Sequence, residues 1–137
     1  MRYLLFLSLI GMTVVTKGDT LSSLDQLTWK NRVILVWTDH PEPVKDTLER
    51  ARPEIDERDI FWFIFSDDEV LTNYSSALAA DFADKTTRKY QSGDTRVLLI
   101  GKDGGVKESD TELLLDALFR EIDAMPMRIR EMRQHIQ

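Results

Sequence analysis

Residues 33–65 read VILVWTDHPEPVKDTLERARPEIDERDIFWFIF, and this stretch decides the fold. It opens and closes on continuous apolar runs, Val33 to Trp37 and Ile60 to Phe65, rich in β-branched and aromatic side chains. Such short runs read as strands buried on both faces. Between them, Pro41 and Pro43 suit the first turn of a helix, where a missing N–H costs nothing. Val44, Leu48, Ala51 and Ile55 line one face of that helix, and Pro53 predicts a kink or stop near Arg52. Two buried strands joined by a helix make a right-handed parallel β-α-β unit.

Working outward, Leu21, Leu24 and Leu27 predict a short helix or turn packed on the core, ended by the polar break Lys30-Asn31-Arg32. Beyond the second strand, Ser66-Asp67-Asp68-Glu69 is a polar exit. Tyr74, Leu78 and Phe82 recur every four residues among four alanines, which predicts a helix from there to about Tyr90. Val97 to Ile100 is a third core strand. Asp103-Gly104-Gly105 is a tight-turn signal, with a return strand at Val106. Ser109 with Glu112 reads as a capping box. Leu114, Leu115, Leu118, Phe119 and Ile122 form an amphipathic last helix, interrupted by Pro126. The order β-α-β-α-β-β-α predicts an α/β three-layer sandwich, a small mixed sheet with helices on both faces. That succession is similar to the thioredoxin-like fold. Trp29, Trp37 and Trp62 are expected in or beside the core.

The chain has 137 residues, enough for one domain. Eighteen basic residues against 24 acidic ones give a net charge of −6, which argues against a nucleic-acid partner. There is no cysteine, so disulfide exchange, thiol peroxidase chemistry and thiolate metal sites are excluded. Met1-Arg2 precedes an apolar run from Tyr3 to Val15, followed by small and polar residues to Gly18. Residues 1–18 therefore read as a signal peptide and 19–137 as the mature domain. A buried first strand and an uncleaved anchor are the competing readings. The run is short for a bilayer span, and no other segment is long enough. Losing Arg2 and Lys17 leaves 16 basic residues against 24 acidic, a net charge of −8. The expected destination is the periplasm or the extracellular space, with no stable membrane insertion after cleavage.

Ligands of open α/β sheets gather beyond the carboxyl ends of the parallel strands. Those ends carry Asp39 and His40 after the first strand and Asp67 after the second. His40, Asp39 and Asp67 could bind a divalent metal, or His40 could act as a general base oriented by a carboxylate. The plainer reading makes them solvated loop residues and helix caps. Gly101 to Gly105 lacks the order of a phosphate loop and reads as a hairpin turn. Asn73-Tyr74-Ser75 is formally a glycosylation acceptor and otherwise the start of the second helix. Arg128, Arg130 and Arg133 could meet an acidic partner or a membrane surface. As cations near a helix C-terminus, they would also favour its dipole.

Four stretches together carry a family resemblance. They are Ser23-Leu24-Asp25-Gln26 with Trp29-Lys30-Asn31-Arg32; Val33 to Trp37; Gly101 to Lys107 (GKDGGVK); and Ile122 to Arg128 (IDAMPMR) with Glu131-Met132-Arg133. The combination resembles the DUF4174 family. The resemblance implies a thioredoxin-like domain of exported proteins with no established activity. It also implies relatives among sushi-repeat-containing extracellular proteins and a coiled-coil-domain matrix protein. Thioredoxins carry Cys-Gly-Pro-Cys-Lys where this chain has Pro41-Glu42-Pro43-Val44-Lys45, and an Ile-Pro-Thr loop where it has Gly93-Asp94-Thr95. The expectation is a cysteine-free binding or scaffold module with no cofactor, whose partner is a protein or an envelope or matrix polymer. The alternative is a non-redox enzyme or metal-binding protein using His40, Asp39 and Asp67.

Overall fold

The computed structural model describes residues 20–136. The apolar run read as a signal peptide lies outside them. A 3₁₀ turn, Leu24–Leu27, precedes β1, Arg32–Trp37. Helices α1, Pro41–Arg50, and α2, Arg52–Glu57, lead to β2, Ile60–Phe65, and β3, Val70–Thr72. Helix α3, Phe82–Tyr90, is followed by the hairpin of β4, Val97–Ile100, and β5, Val106–Asp110. Helices α4, Leu115–Asp123, and α5, Pro126–Ile136, complete the described chain. The strands form one sheet in the order β3-β2-β1-β4-β5. Only β1 and β2 run parallel, with Ile34 opposite Trp62, and the other neighbours are antiparallel.

The deciding stretch folds as read. Every residue of β1 is buried: from Val33 to Trp37 alternate side chains enter two different cores, and Arg32 is paired with the Glu131 carboxylate. Ile34, Val36, Trp62, Ile64 and Leu99 meet α1, α2 and α4 through Leu48, Ile55, Leu118 and Ile122. Leu35, Trp37, Phe63, Phe65 and Leu98 meet the 3₁₀ turn and α3 through Leu24, Leu27 and Phe82. Helices thus cover both faces. Pro53 divides α1 from α2: Ala51 closes one and opens the other, and the proline sits in the first turn of α2. Pro126 is the first residue of α5, three residues after α4 ends at Asp123.

Four local expectations fail for identifiable reasons. The helix expected from Tyr74 begins only at Phe82. Residues 70–72 instead pair with β2, and Leu78 forms a bridge to Leu21. Tertiary pairing overrides the helix propensity of the alanines. Ser109 lies in β5 rather than capping a helix, and α4 starts at Leu115 without a side-chain cap. Trp29 is 67% exposed at a φ of 70°, held by its N–H to the Lys102 carbonyl, whereas Trp37 and Trp62 are buried.

The fourth concerns Asn73, which is no helix start. Its Oδ1 accepts from the Trp62 N–H at 2.8 Å, and its Nδ2 donates to the Ile60 carbonyl at 3.1 Å. One side chain thereby continues the ladder where β3 has ended, and both halves of the amide are needed. Asn73→Asp keeps the acceptor but turns a carboxylate oxygen on the Ile60 carbonyl. We expect it to cost about 1–3 kcal/mol in urea unfolding, as much as Asn73→Ala. A loss of stability by Asn73→Ala alone would mean that the donor half is idle.

Candidate functional site

The carboxyl ends of β1 and β2 open into a cavity of about 770 Å³. Its aromatic floor is Trp37 stacked on Phe65, with ring centroids 5.5 Å apart and planes at 20°. Helix α3 makes one wall. Phe82 anchors that helix against Phe63 and Phe65 at 5.2 and 6.3 Å between centroids. Thr87, five residues on, accepts the Trp37 indole N–H at 3.0 Å. The opposite rim comes from the loops after the two parallel strands. They are knit together by the Thr38 N–H on the Phe65 carbonyl and the Ser66 N–H on the Glu69 carbonyl. Gln91 and Arg96 complete the lining on either side of the Gly93-Asp94-Thr95 loop.

Five carboxylates (Asp39, Asp67, Asp68, Glu69 and Asp84) and two arginines (Arg88 and Arg96) line this cavity. Among the described residues no ion pair joins the two sets. The cavity thus offers an apolar floor with hydrogen-bonding and charged groups of both signs around it, which suits holding a ligand.

Asp39 and Asp67 do reach the same cavity, as the strand-end rule predicts. His40 does not line it. It precedes α1 as an exposed residue whose backbone N–H donates to Thr38 Oγ1 at 3.0 Å. No hydrogen bond between His40 and either aspartate occurs among the described residues. Nor does any group of three or more His, Asp or Glu stand close enough there to hold a metal ion. Gly101–Gly105 is a hairpin turn, with the Gly101 N–H on the Gly105 carbonyl and Gly104 at a φ of 86°. Asp103 accepts from Lys107 at 2.8 Å, and that hydrogen bond holds its carboxyl below the usual range.

The opposite end of the sheet carries a feature that sequence reading missed. Arg32, at the start of β1, and Arg128, on α5, are each 1% exposed, and Lys102, after β4, is 9% exposed. Arg32 spans the Glu131 carboxylate at 3.2 and 3.3 Å. Lys102 donates to Asp59 at 2.9 Å and to Glu131 at 2.8 Å. Arg128 pairs with Glu57 and, at 3.2 Å, with Asp123, which Arg58 also grips at 2.8 and 3.0 Å. Four cations thus face four carboxylates across β1, the α2–β2 turn, the β4–β5 hairpin, α4 and α5. Arg128 is therefore a buried cross-brace, not a cation placed for a helix dipole or an outside partner. Sequence spacing shows one pair within reach, Arg128 and Glu131 three residues apart on a helix. The cross-element pairs leave no such trace.

The Arg58 hydrogen bonds hold the Asp123 carboxyl low against the opposing effect of burial. For Glu131, burial pushes upward, but hydrogen bonds from Lys102 and Arg32 outweigh it and the net shift is downward. Both groups therefore bind protons more weakly folded than unfolded. Their stabilisation is complete above the ordinary values of 4.5 and 3.8 and is lost as pH falls through the lowered ones. Denaturant titrations should show it intact at about pH 6 and declining below roughly pH 4. Glu131→Gln should flatten that acid limb. An acid limb unchanged in Glu131→Gln would mean that other carboxylates set it.

A family described as "Domain of unknown function (DUF4174)" matches residues 23–131. Among solved structures, the chain is similar to a reduced 2-Cys peroxiredoxin of Plasmodium vivax. The TM-score is 0.56 at 19% identity, over 78% of this chain and 84% of that one. The likeness is one of fold, and the sandwich is thioredoxin-like. No curated protein matches.

Proposed function

We propose, from the premise that this chain belongs to the DUF4174 family, that it is an exported thioredoxin-like binding or scaffold module with no thiol redox chemistry. One observation carries this reading: the cavity at the parallel strand ends keeps an aromatic floor and a charged rim in a chain that has no cysteine. The carboxyl ends of the two parallel strands are here equipped to hold something. The partner is a protein or an envelope or matrix polymer, met at the rim by Arg88 and Arg96. We include in the proposal a kinship with extracellular proteins of the sushi-repeat and coiled-coil-domain kind, which would fit such a role. Export rests on the leader-like residues 1–18. No helix among the described residues is long and apolar enough to cross a membrane.

The test has two readouts. The intact mass of the protein recovered from the exported fraction of producing cells should correspond to a chain beginning near Asp19. Capture of envelope or matrix material by the mature chain should be reproducible and lost in Arg88→Glu/Arg96→Glu, a double variant whose fold is checked by its unfolding midpoint. An uncleaved protein retained inside the cell, or capture indifferent to the double variant, would refute the reading.

A further inference from the structure

The second charged assembly, at the far end of the sheet, contains one group whose occupant is replaceable. The Glu131 carboxylate is hydrogen-bonded by two buried cations, with both Arg32 terminal nitrogens and Lys102 Nζ on its two oxygens at 2.8–3.3 Å, while a third, Arg128, stands 3.7 Å away. Arg32 sits at the mouth of an otherwise apolar strand, and its Nε has no hydrogen-bond partner. Burying a guanidinium is costly unless an anion meets it. A planar fork of this kind fits a carboxylate or a phosphate in bidentate fashion, and here it holds a carboxylate.

The element that supplies the anion is weakly seated. Helix α5 contributes no side chain to either apolar core, and its one buried residue is Arg128. From Glu131 onward the described residues are half-buried or exposed, with Ile136 85% exposed. Were these last turns to leave, Arg128 would give up its 3.7 Å contact with Glu131 and keep Glu57 and Asp123. Lys102 then still has Asp59, and Arg32 is left with the Arg58 carbonyl alone.

We propose that Arg32 and Lys102 form a carboxylate-binding cradle, that the chain fills it in cis with Glu131, and that the end of α5 is a removable latch over it. A partner presenting an Asp, a Glu or a C-terminal carboxylate displaces the latch. This site is separate from the strand-end cavity and does not depend on what binds there.

Amide hydrogen exchange on the whole mature chain tests this directly. Sodium acetate at 100 mM, compared with chloride at equal ionic strength, should speed exchange of the α5 amides after Arg128 about fourfold and leave β1 amides unchanged. That factor corresponds to a cradle about three-quarters filled when open. In Glu131→Ala the same acetate should raise the thermal midpoint by roughly 3 °C, and Glu131→Ala/Arg32→Met should lose that rise. Exchange of the terminal α5 amides that is the same in acetate and chloride, or that occurs only with the core, overturns the proposal. Phosphate outperforming acetate overturns the assignment to carboxylates. If Glu131→Ala does not fold, the exchange measurement on the unaltered chain decides.

Discussion

Arg128→Met should lower the stability of the domain by about 3 kcal/mol, a fall in thermal midpoint of roughly 12 °C. Arg128 is 1% exposed, while its partners Glu57 and Asp123 are 59% and 35% exposed. Removing the cation leaves three carboxylates: Asp123 is still held by Arg58, Glu131 by Arg32 and Lys102, and the more exposed Glu57 can draw water. The effect therefore sits at the lower end of the range for breaking buried pairs. Arg130→Met, two residues away on the exposed face of the same helix, should change stability by less than about 0.5 kcal/mol. Equal effects of the two substitutions would return Arg128 to the role of a surface cation.

Phe82→Ala should cost about 3–5 kcal/mol, the loss for emptying a buried aromatic site. The ring is 1% exposed and lies against Phe63 and Phe65. It is also the first residue of α3, so its loss loosens the wall that carries Thr87 and Arg88 over the Trp37–Phe65 floor. Urea unfolding measures the first effect. The second should appear as a red shift of tryptophan emission under native conditions, since Trp37 would gain access to water. A stable Phe82→Ala domain with unchanged emission would mean that α3 is held elsewhere.

The sandwich was legible because its central strands are apolar on both faces. Val33–Trp37, Ile60–Phe65 and Val97–Ile100 could go nowhere but the middle of a covered sheet. Segment 70–81 was not legible. Tyr74, Leu78 and Phe82 do face one core, so the spacing of four was real. It is delivered by a short strand and a bridge to Leu21 rather than by a helix, and three-residue β3 is too short to leave an alternation. The strand-end rule found Asp39 and Asp67 at the cavity but said nothing of α3, whose Thr87 and Arg88 line it from a distant part of the sequence. The charge network was invisible for a related reason. Arg32, Asp59, Lys102 and Glu131 lie far apart in the chain, and burial of a charge is decided by its partner. Three of the four stretches that carry the family resemblance meet at that network, so much of what resembles the family here serves to close the lower end of the sheet.

We propose that this domain holds its partner at the cysteine-free strand-end cavity. Site-specific photo-crosslinking in producing cells tests it most directly, with the reactive side chain placed at Ala83 in the cavity wall or at exposed Glu121 on α4. We expect a discrete adduct from position 83 in the exported fraction and none from position 121. The same adducts from both positions, or none from position 83, would contradict it.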